Sequence, residues 1–169
     1  PSSILKAASL LGQQEDQFIA NIISSASKIN VKGKWSSPGE FANLISKAIN
    51  QMNPKSQLTL IISPTDKAFL SSIIDPSGID ELSRVNKIVD KIIVSQGLKD
   101  GEALLISNKP ENLDIVYGSR NRVDYLGLQN SSHLFVLWET LSVRVKTLSA
   151  ISVIIKSDWL PPHPKGGVP

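Results

Sequence analysis

The sequence predicts an α+β fold, and three features of the chain carry that expectation. Near the start, apolar residues recur at spacings of three and four, the period of a helix face. From Gln57 to Ile62 they run almost continuously, as in a strand buried on both faces. From Leu134 to Lys156, reading LFVLWETLSVRVKTLSAISVIIK, they alternate at period two over an unusual length, the mark of a strand with one buried face. Helices and short strands mixed along one chain make this α+β.

The first helix is expected over Ser3 to Ile29, with Ile4, Ala8, Leu11, Phe18, Ile22, Ala26 and Ile29 on one face and Glu15 on the same stripe. Val31 to Ser36 reads as a polar linker, with Trp35 folded back onto a helix. Ser37-Pro38-Gly39-Glu40 combines a capping serine, a proline at the first helical position and a glutamate three residues after the cap. The helix it opens buries Phe41, Leu44, Ile45, Ala48 and Met52 and ends at Asn53-Pro54. Ser63-Pro64-Thr65-Asp66 repeats that start and opens a short helix carrying Phe69 and Leu70. Asp75-Pro76-Ser77-Gly78 is a turn. Leu82, Val85, Ile88 and Val89 mark a third amphipathic helix. Four short strands follow, near Lys91 to Val94, Ala103 to Ser107, Leu113 to Tyr117 and Asp124 to Leu128, separated by Gly, Asn, Pro and Asp.

In the last segment Phe135, Leu137, Leu141, Val143 and Val145 share a face, interrupted by Glu139, while Thr140, Ser142, Arg144 and Lys146 take the other. Thr147-Leu148-Ser149 leads to a second strand, Ala150 to Lys156, and the pair is expected to form a long antiparallel hairpin. The tail, from about residue 157 to 169, holds too little apolar surface to fold and is expected to be disordered.

Composition narrows the functional classes. At 169 residues the chain is one domain, or two lobes sharing a core, and 41% hydrophobic content suffices for that core. The absence of cysteine removes disulfide scaffolds, thiolate zinc sites and cysteine nucleophiles. No apolar run approaches the ~18–20 residues needed to cross a bilayer, so no membrane partner is expected. The net charge of +3 is mild and its lysines and arginines are scattered, unlike a nucleic-acid footprint. His133 and His163 have no ligand partners at metal spacing, so no metal site is expected. There is no Gly-x-Ser-x-Gly elbow and no phosphate-binding glycine motif. Lys99-Asp100-Gly101-Glu102 reads as a hairpin turn. Glu139 is the best-placed carboxylate, but one carboxylate is not an acid/base pair. Trp138 reads as a core or interface anchor. No catalytic residue and no cofactor are assigned.

Five stretches in order carry a resemblance. They are Gln14-Glu15-Asp16-Gln17-Phe18-Ile19 on a long helix, Ser37-Pro38-Gly39-Glu40-Phe41, the run LTLIISP from Leu58, Asp124-Tyr125-Leu126-Gly127, and the closing alternating segment. Together they resemble the encapsulins, shell-forming proteins that share the tailed-phage major capsid fold. The resemblance implies a structural subunit rather than an enzyme. It implies a peripheral lobe of residues 1–30 and 131–156, with the spine helix packed on the final hairpin, and an axial lobe of residues 31–130. It implies a cytoplasmic, homo-oligomeric, icosahedral shell around a cargo protein of ferritin-like or peroxidase type. Ile74, Asp75, Pro76, Ser77, Gly78, Ile79 and Asp80 would line a five-fold pore, with Asp75 and Asp80 as acidic rings. Glu15, Trp138 and Glu139 would serve contacts between subunits. The family's N-terminal arm and extended loop have no counterpart here, which suggests a fragment or trimmed product, monomeric or a small oligomer alone. A viral major capsid protein of the same fold, where nucleic acid would be the partner, and a small ligand-binding or enzymatic α+β domain are the alternatives.

Overall fold

A computed structural model describes residues 2–130 and 132–157, apart from the side chains of residues 2–4 and 121. The expected disordered tail, His163 included, lies outside them but for Ser157, whose N–H donates to the Gly33 carbonyl at 3.0 Å. The elements run α1 (Ser2–Ala26), β1 (Ile29–Gly33), α2 (Glu40–Gln51), β2 (Leu58–Ile62), α3 (Pro64–Ser72), α4 (Glu81–Val85), β3 (Lys91–Val94), β4 (Glu102–Ser107), β5 (Leu113–Gln129), β6 (Ser132–Val145), a 3-10 turn at Leu148–Ala150 and β7 (Ile151–Lys156).

Five strands form a mixed sheet in the order β1-β7-β4-β2-β3. Strand alternation sends neighbouring side chains to opposite faces, and the sheet uses this to build two cores. Leu58, Leu60, Ile62, Ala103, Leu105 and Ile154 meet α2, α3 and α4 through Phe41, Leu44, Ile45, Leu70 and Val85, joined by Val89 from the turn after α4. Leu104, Ile106, Ile151 and Val153 meet Ala20 and Ile23 of α1, with Leu113, Val143 and Val145 from the base of β5 and β6. β2 and β4 therefore read as continuous apolar runs.

Two pairings differ from the sequence expectation. β7 does not fold back on β6. It lies between β1, to which it is parallel, and β4, to which it is antiparallel. The physical reason is burial: Ile151 to Ile154 are all buried, which needs strands on both edges and a core on both faces. Thr147-Leu148-Ser149 turns the chain into that slot instead of reversing it. The partner of β6 is β5, and the two make a separate two-stranded sheet. The two short strands expected near Leu113 and Asp124 are one, because Gly118 and its polar neighbours are absorbed as register shifts between Tyr117 and Ser119 and between Ser119 and Arg122. Asn130, with φ of 47°, supplies the left-handed residue where Gln129 and Ser132 face each other.

The expected linker at Val31 is the edge strand β1, missed because only Val31 is buried in a five-residue polar-looking run. Lys99-Asp100-Gly101 is a turn, as expected, but it leads across β2 from β3 to β4 rather than closing a hairpin. Trp35 folds back fully: it is buried and meets Phe41 edge to face, with ring centroids 4.6 Å apart.

α1 packs on β6 and β7. Its buried face carries Ile19, Ala20 and Ile23, whereas Phe18 is 46% exposed. The stripe is thus rotated by about one residue, ~100° on a helix, from the sequence reading. Toward the start of α1, Leu5 and Leu10, which lie off the expected stripe, are exposed, whereas Leu11, which lies on it, is half-buried and lines a groove with β6. The helix rests on the loop after β3. A side-chain carbon at Gly97 would come within 2.4–2.6 Å of the backbone at Asp16 and Gln17, so only glycine lets the two backbones approach this closely.

The second helix starts later than the capping pattern suggests. Gly39, at φ 85°, is its N-cap and offers no side chain. Glu40 still reaches back, its Oε2 accepting from the Ser36 and Ser37 N–H groups at 2.8 and 3.0 Å. The orphan donors of the first turn go instead to Glu81 of α4. Its carboxylate accepts from the Gly39 N–H at 2.6 Å and the Ala42 N–H at 2.8 Å, with a fully buried side chain. At α3, Ser63 and Asp66 bond reciprocally as expected, and Asp66 Oδ2 also accepts from the Gly101 N–H at 2.8 Å. Burial raises the Asp66 carboxyl, with the Gly101 and Ser63 hydrogen bonds opposing.

Glu81→Ala strips two helix N–H groups of their acceptor in the interior, and losing charge-assisted bonds there costs about 2–4 kcal/mol. Urea unfolding is expected to show a loss of that size, with Glu81→Gln retaining part of it.

Candidate functional site

The described structure offers two places where sequence-selected residues gather. The first is the flank of the β5–β6 hairpin against α1. Glu15 and Glu139 line one open groove of about 320 Å³ with Leu11, Gln14, Phe18, Thr140 and Leu141. α1 presents Glu15 on the side that faces β6, and the alternation of β6 turns Glu139 toward it. The Tyr117 hydroxyl, from β5, donates to Glu15 Oε1. Glu139 faces the same groove as Glu15, and desolvation followed by the Glu15 charge raises it above the ordinary glutamate value, with Arg120 opposing. Tyr117 is raised too, first by its bond to Glu15. The Arg120 guanidinium lies 3.9 Å from the centre of the Tyr117 ring. Two carboxyl groups on one groove, one of them already accepting from a tyrosine, can share a proton when they meet. Glu139 therefore does have a carboxyl partner, which its strand alone did not reveal.

Trp138 lies on the opposite face. It is half-buried, its Nε1 donates to Asp124 Oδ2 at 2.6 Å, and the Arg122 guanidinium sits 5.6 Å from its ring centre. Farther out, Tyr125 packs against Phe135 and its hydroxyl meets His133 Nδ1 at 3.0 Å. This outer half of the hairpin is apolar and uncovered: Val123, Tyr125, Leu126, Leu128, Leu134 and Phe135 are exposed. Nearer the body, Arg144 grips Asp114 with two bonds of 2.7 and 2.9 Å, and Lys146 Nζ lies 2.9 Å from the same carboxylate. These contacts hold the Asp114 carboxyl at about 2. Sequence reasoning missed Tyr117, Arg120 and Asp114. The signal for Asp114 was its position directly opposite Arg144, visible only once β5 and β6 are paired.

The second place is the loop from Ile74 to Asp80. Ile74 and Asp80 form an isolated bridge, and Pro76, Ser77, Gly78 and Ile79 are exposed at the tip. Asp75 Oδ1 accepts from the Ser77 and Ile79 N–H groups at 2.8 and 2.9 Å, and its other oxygen pairs with Arg84. Asp80 caps α4, accepting from the Ser83 N–H at 2.8 Å and its hydroxyl at 2.6 Å. These bonds hold Asp80 below its ordinary value. Both carboxylates thus carry local structure. Among the described residues no group of three or more His, Cys, Asp or Glu could hold a metal ion, and no helix is long and apolar enough to cross a membrane.

The architecture is that of capsid-forming chains. It superimposes on the virus-like particle of Pyrococcus furiosus with a TM-score of 0.72 at 25% identity, over 88% of this chain and 65% of that one. A Gordonia phage Cozz chain shares the fold at a TM-score of 0.65 and 13% identity, over 93% of this chain and 64% of that one. The family described as "encapsulating protein for peroxidase" matches residues 2–142, and this chain belongs to it. The type 1 encapsulin shell protein EncA of Myxococcus xanthus is 25% identical over 167 residues, 90% of this chain and 58% of that protein. A ferritin-like–encapsulin shell fusion protein of Pyrococcus furiosus is 28% identical over 155 residues, 88% of this chain and 45% of that protein. The chain spans about half the length of the curated relatives it matches.

The Asp114 cluster sets an acid-side pH dependence. A carboxyl held at about 2 against an ordinary 3.8 adds stability that is present above 3.8 and lost as pH falls through about 2. Carboxyl-carbon NMR is expected to place the Asp114 titration near that lower value, and Arg144→Gln is expected to move it back toward 3.8.

Proposed function

We propose that this chain is the shell-forming part of an encapsulin-like compartment: a structural subunit that assembles with copies of itself around a protein cargo. The observation that carries the reading is the family match over residues 2–142. The capsid fold supports it, and so do relatives whose names join encapsulin shells to ferritin-like and diheme-cytochrome partners. A ferritin-like or peroxidase cargo, an icosahedral arrangement and a cytoplasmic location belong to this proposal. The role is architectural rather than catalytic. The phage likenesses rest at the level of fold, whereas the encapsulin likenesses extend to sequence, which favours a protein-filled compartment over a viral capsid.

Within this reading the two lobes differ from the expected division of 1–30 with 131–156 against 31–130: pairing moves β5 to a peripheral lobe with α1 and β6, and β7 to an axial lobe of the five-stranded sheet with α2 to α4. The exposed outer hairpin suits a contact between subunits, where apolar residues lose their exposure, and Trp138 sits beside it. The 74–80 loop suits a rim around an opening. Its exposed tip would meet the solute first, while Arg84 tempers the charge of Asp75.

Electron microscopy with mass photometry of the intact gene product is expected to find closed particles carrying a second, co-purifying protein. A uniform monomer at micromolar concentration would overturn the proposal. Leu126→Lys with Phe135→Lys alters exposed positions only, and should abolish assembly while the melting temperature stays unchanged. A durable interface buries about 1,000 Å² or more, and two charges at its apolar centre defeat it.

A further inference from the structure

Most of the hairpin's apolar surface is uncovered, and what holds the hairpin to the spine helix is a short stretch of contact. That stretch runs from the body, where Val143 and Val145 join the core, to the groove at Glu15 and Glu139. Beyond it the apolar residues of β5 and β6, from Val123 to Phe135, are exposed among the described residues. The tie between hairpin and helix at that groove sets two titratable groups beside Leu11, Phe18 and Leu141.

Every titratable or charged group that faces this tie has a place. Glu15 comes from α1, Glu139 from β6, and Tyr117 and Arg120 from β5. The Tyr117 hydroxyl already donates to Glu15, which makes Glu15 an acceptor. Glu139 lines the same groove as Glu15, and a bond between the two carboxyls requires a proton on one of them, because two carboxylates have no hydrogen to share and repel at contact. Arg120 stands over the Tyr117 ring and favours the ionised form, so it opposes the tie without replacing its hydrogen bond.

We propose that Glu15 and Glu139 form a proton-linked clasp between the spine helix and the β5–β6 hairpin, closed while the pair shares a proton and released when both carboxyls are ionised. Acidity then holds the hairpin against α1, and rising pH frees it to swing on its base, where the Asp114–Arg144 pair and the Asn112 carbonyl, which accepts from the Lys146 N–H at 2.8 Å, stay fast. The clasp does not depend on the assembly reading, since it acts within one subunit.

The sign follows from the direction of the Glu139 shift. A carboxyl raised in the folded state contributes stability that is fully present below its ordinary value of 4.5 and is lost as pH rises through the raised one. Glu139→Gln keeps the shape and a permanent donor toward Glu15, so it imitates the closed state at every pH.

The test uses the whole chain and two readouts. Carboxyl-carbon NMR is expected to show Glu139 titrating above the ordinary glutamate range and to show it drop in Glu15→Gln. The urea midpoint of Glu139→Gln is expected to equal that of the parent at pH 4, to exceed it increasingly as pH rises through the raised Glu139 value, and then to hold a constant lead. A merely structural glutamate would give a difference independent of pH. That result, an ordinary Glu139 titration, or a Glu139 value unmoved by Glu15→Gln would each overturn the clasp.

Discussion

The structure depends on one placement: the last described strand, β7, closes the gap between the first, β1, and the middle one, β4. Without it β1 has no partner in the sheet, and β4 loses one of its two neighbours. The sheet's two cores also meet through β7, which sends Ile154 to the core under α2 and Ile151 and Val153 to the core under α1. Residues nearly the whole chain apart must therefore find each other before either core is complete, and loop closure over such lengths is the entropic cost of this topology.

That arrangement divides the molecule into a body held by apolar burial and a limb held by polar pairs. The body is dry: Trp35, Phe41, Ile45, Leu60, Leu104 and Ile154 are fully buried. The carboxyl groups it encloses are spent on helix starts, Glu81 on that of α2 and Asp66 on that of α3. The hairpin has the opposite character. A two-stranded ribbon is marginal alone in water, and this one is reinforced by Asp114–Arg144, Trp138–Asp124 and the Glu15 cluster, each joining separate strands or strand and helix. Its outer apolar residues gain nothing from the fold of one chain. Under the proposed shell role a neighbouring subunit would cover them.

The sequence was legible wherever local chemistry decides structure. Ser63 and Asp66 cap α3 as their spacing says, the period-two pattern of Leu141, Val143 and Val145 does mark a half-buried strand, and Trp35 does leave solvent. The resemblance to encapsulins, read from five ordered stretches, gave the family that the comparisons bear out. Partners were what local reading could not supply. β6 looks equally ready to pair with β5 or β7, since a three-residue link is a hairpin signal; burial on both faces of β7 decides the matter, and that is a property of the whole sheet. Glu139 looked alone because Glu15, although on the expected stripe of α1, lies far away in sequence. Asp75 and Asp80 looked free to face an opening because Arg84 and Ser83 cannot be seen to engage them until the turn is folded.

The placement of β7 is tested most directly by native-state hydrogen exchange across the sheet and the hairpin. The amides of Val153 and Ile154 in β7 are expected to exchange together with those of Leu104 and Leu105 in β4, at the slowest rate in the protein. Those of the outer hairpin, from Val123 to Leu128, are expected to exchange much faster, as a limb that opens without unfolding the body. If the β7 amides instead exchanged at the fast rate of the outer hairpin while β4 stayed protected, β7 would not be the strand that closes the sheet.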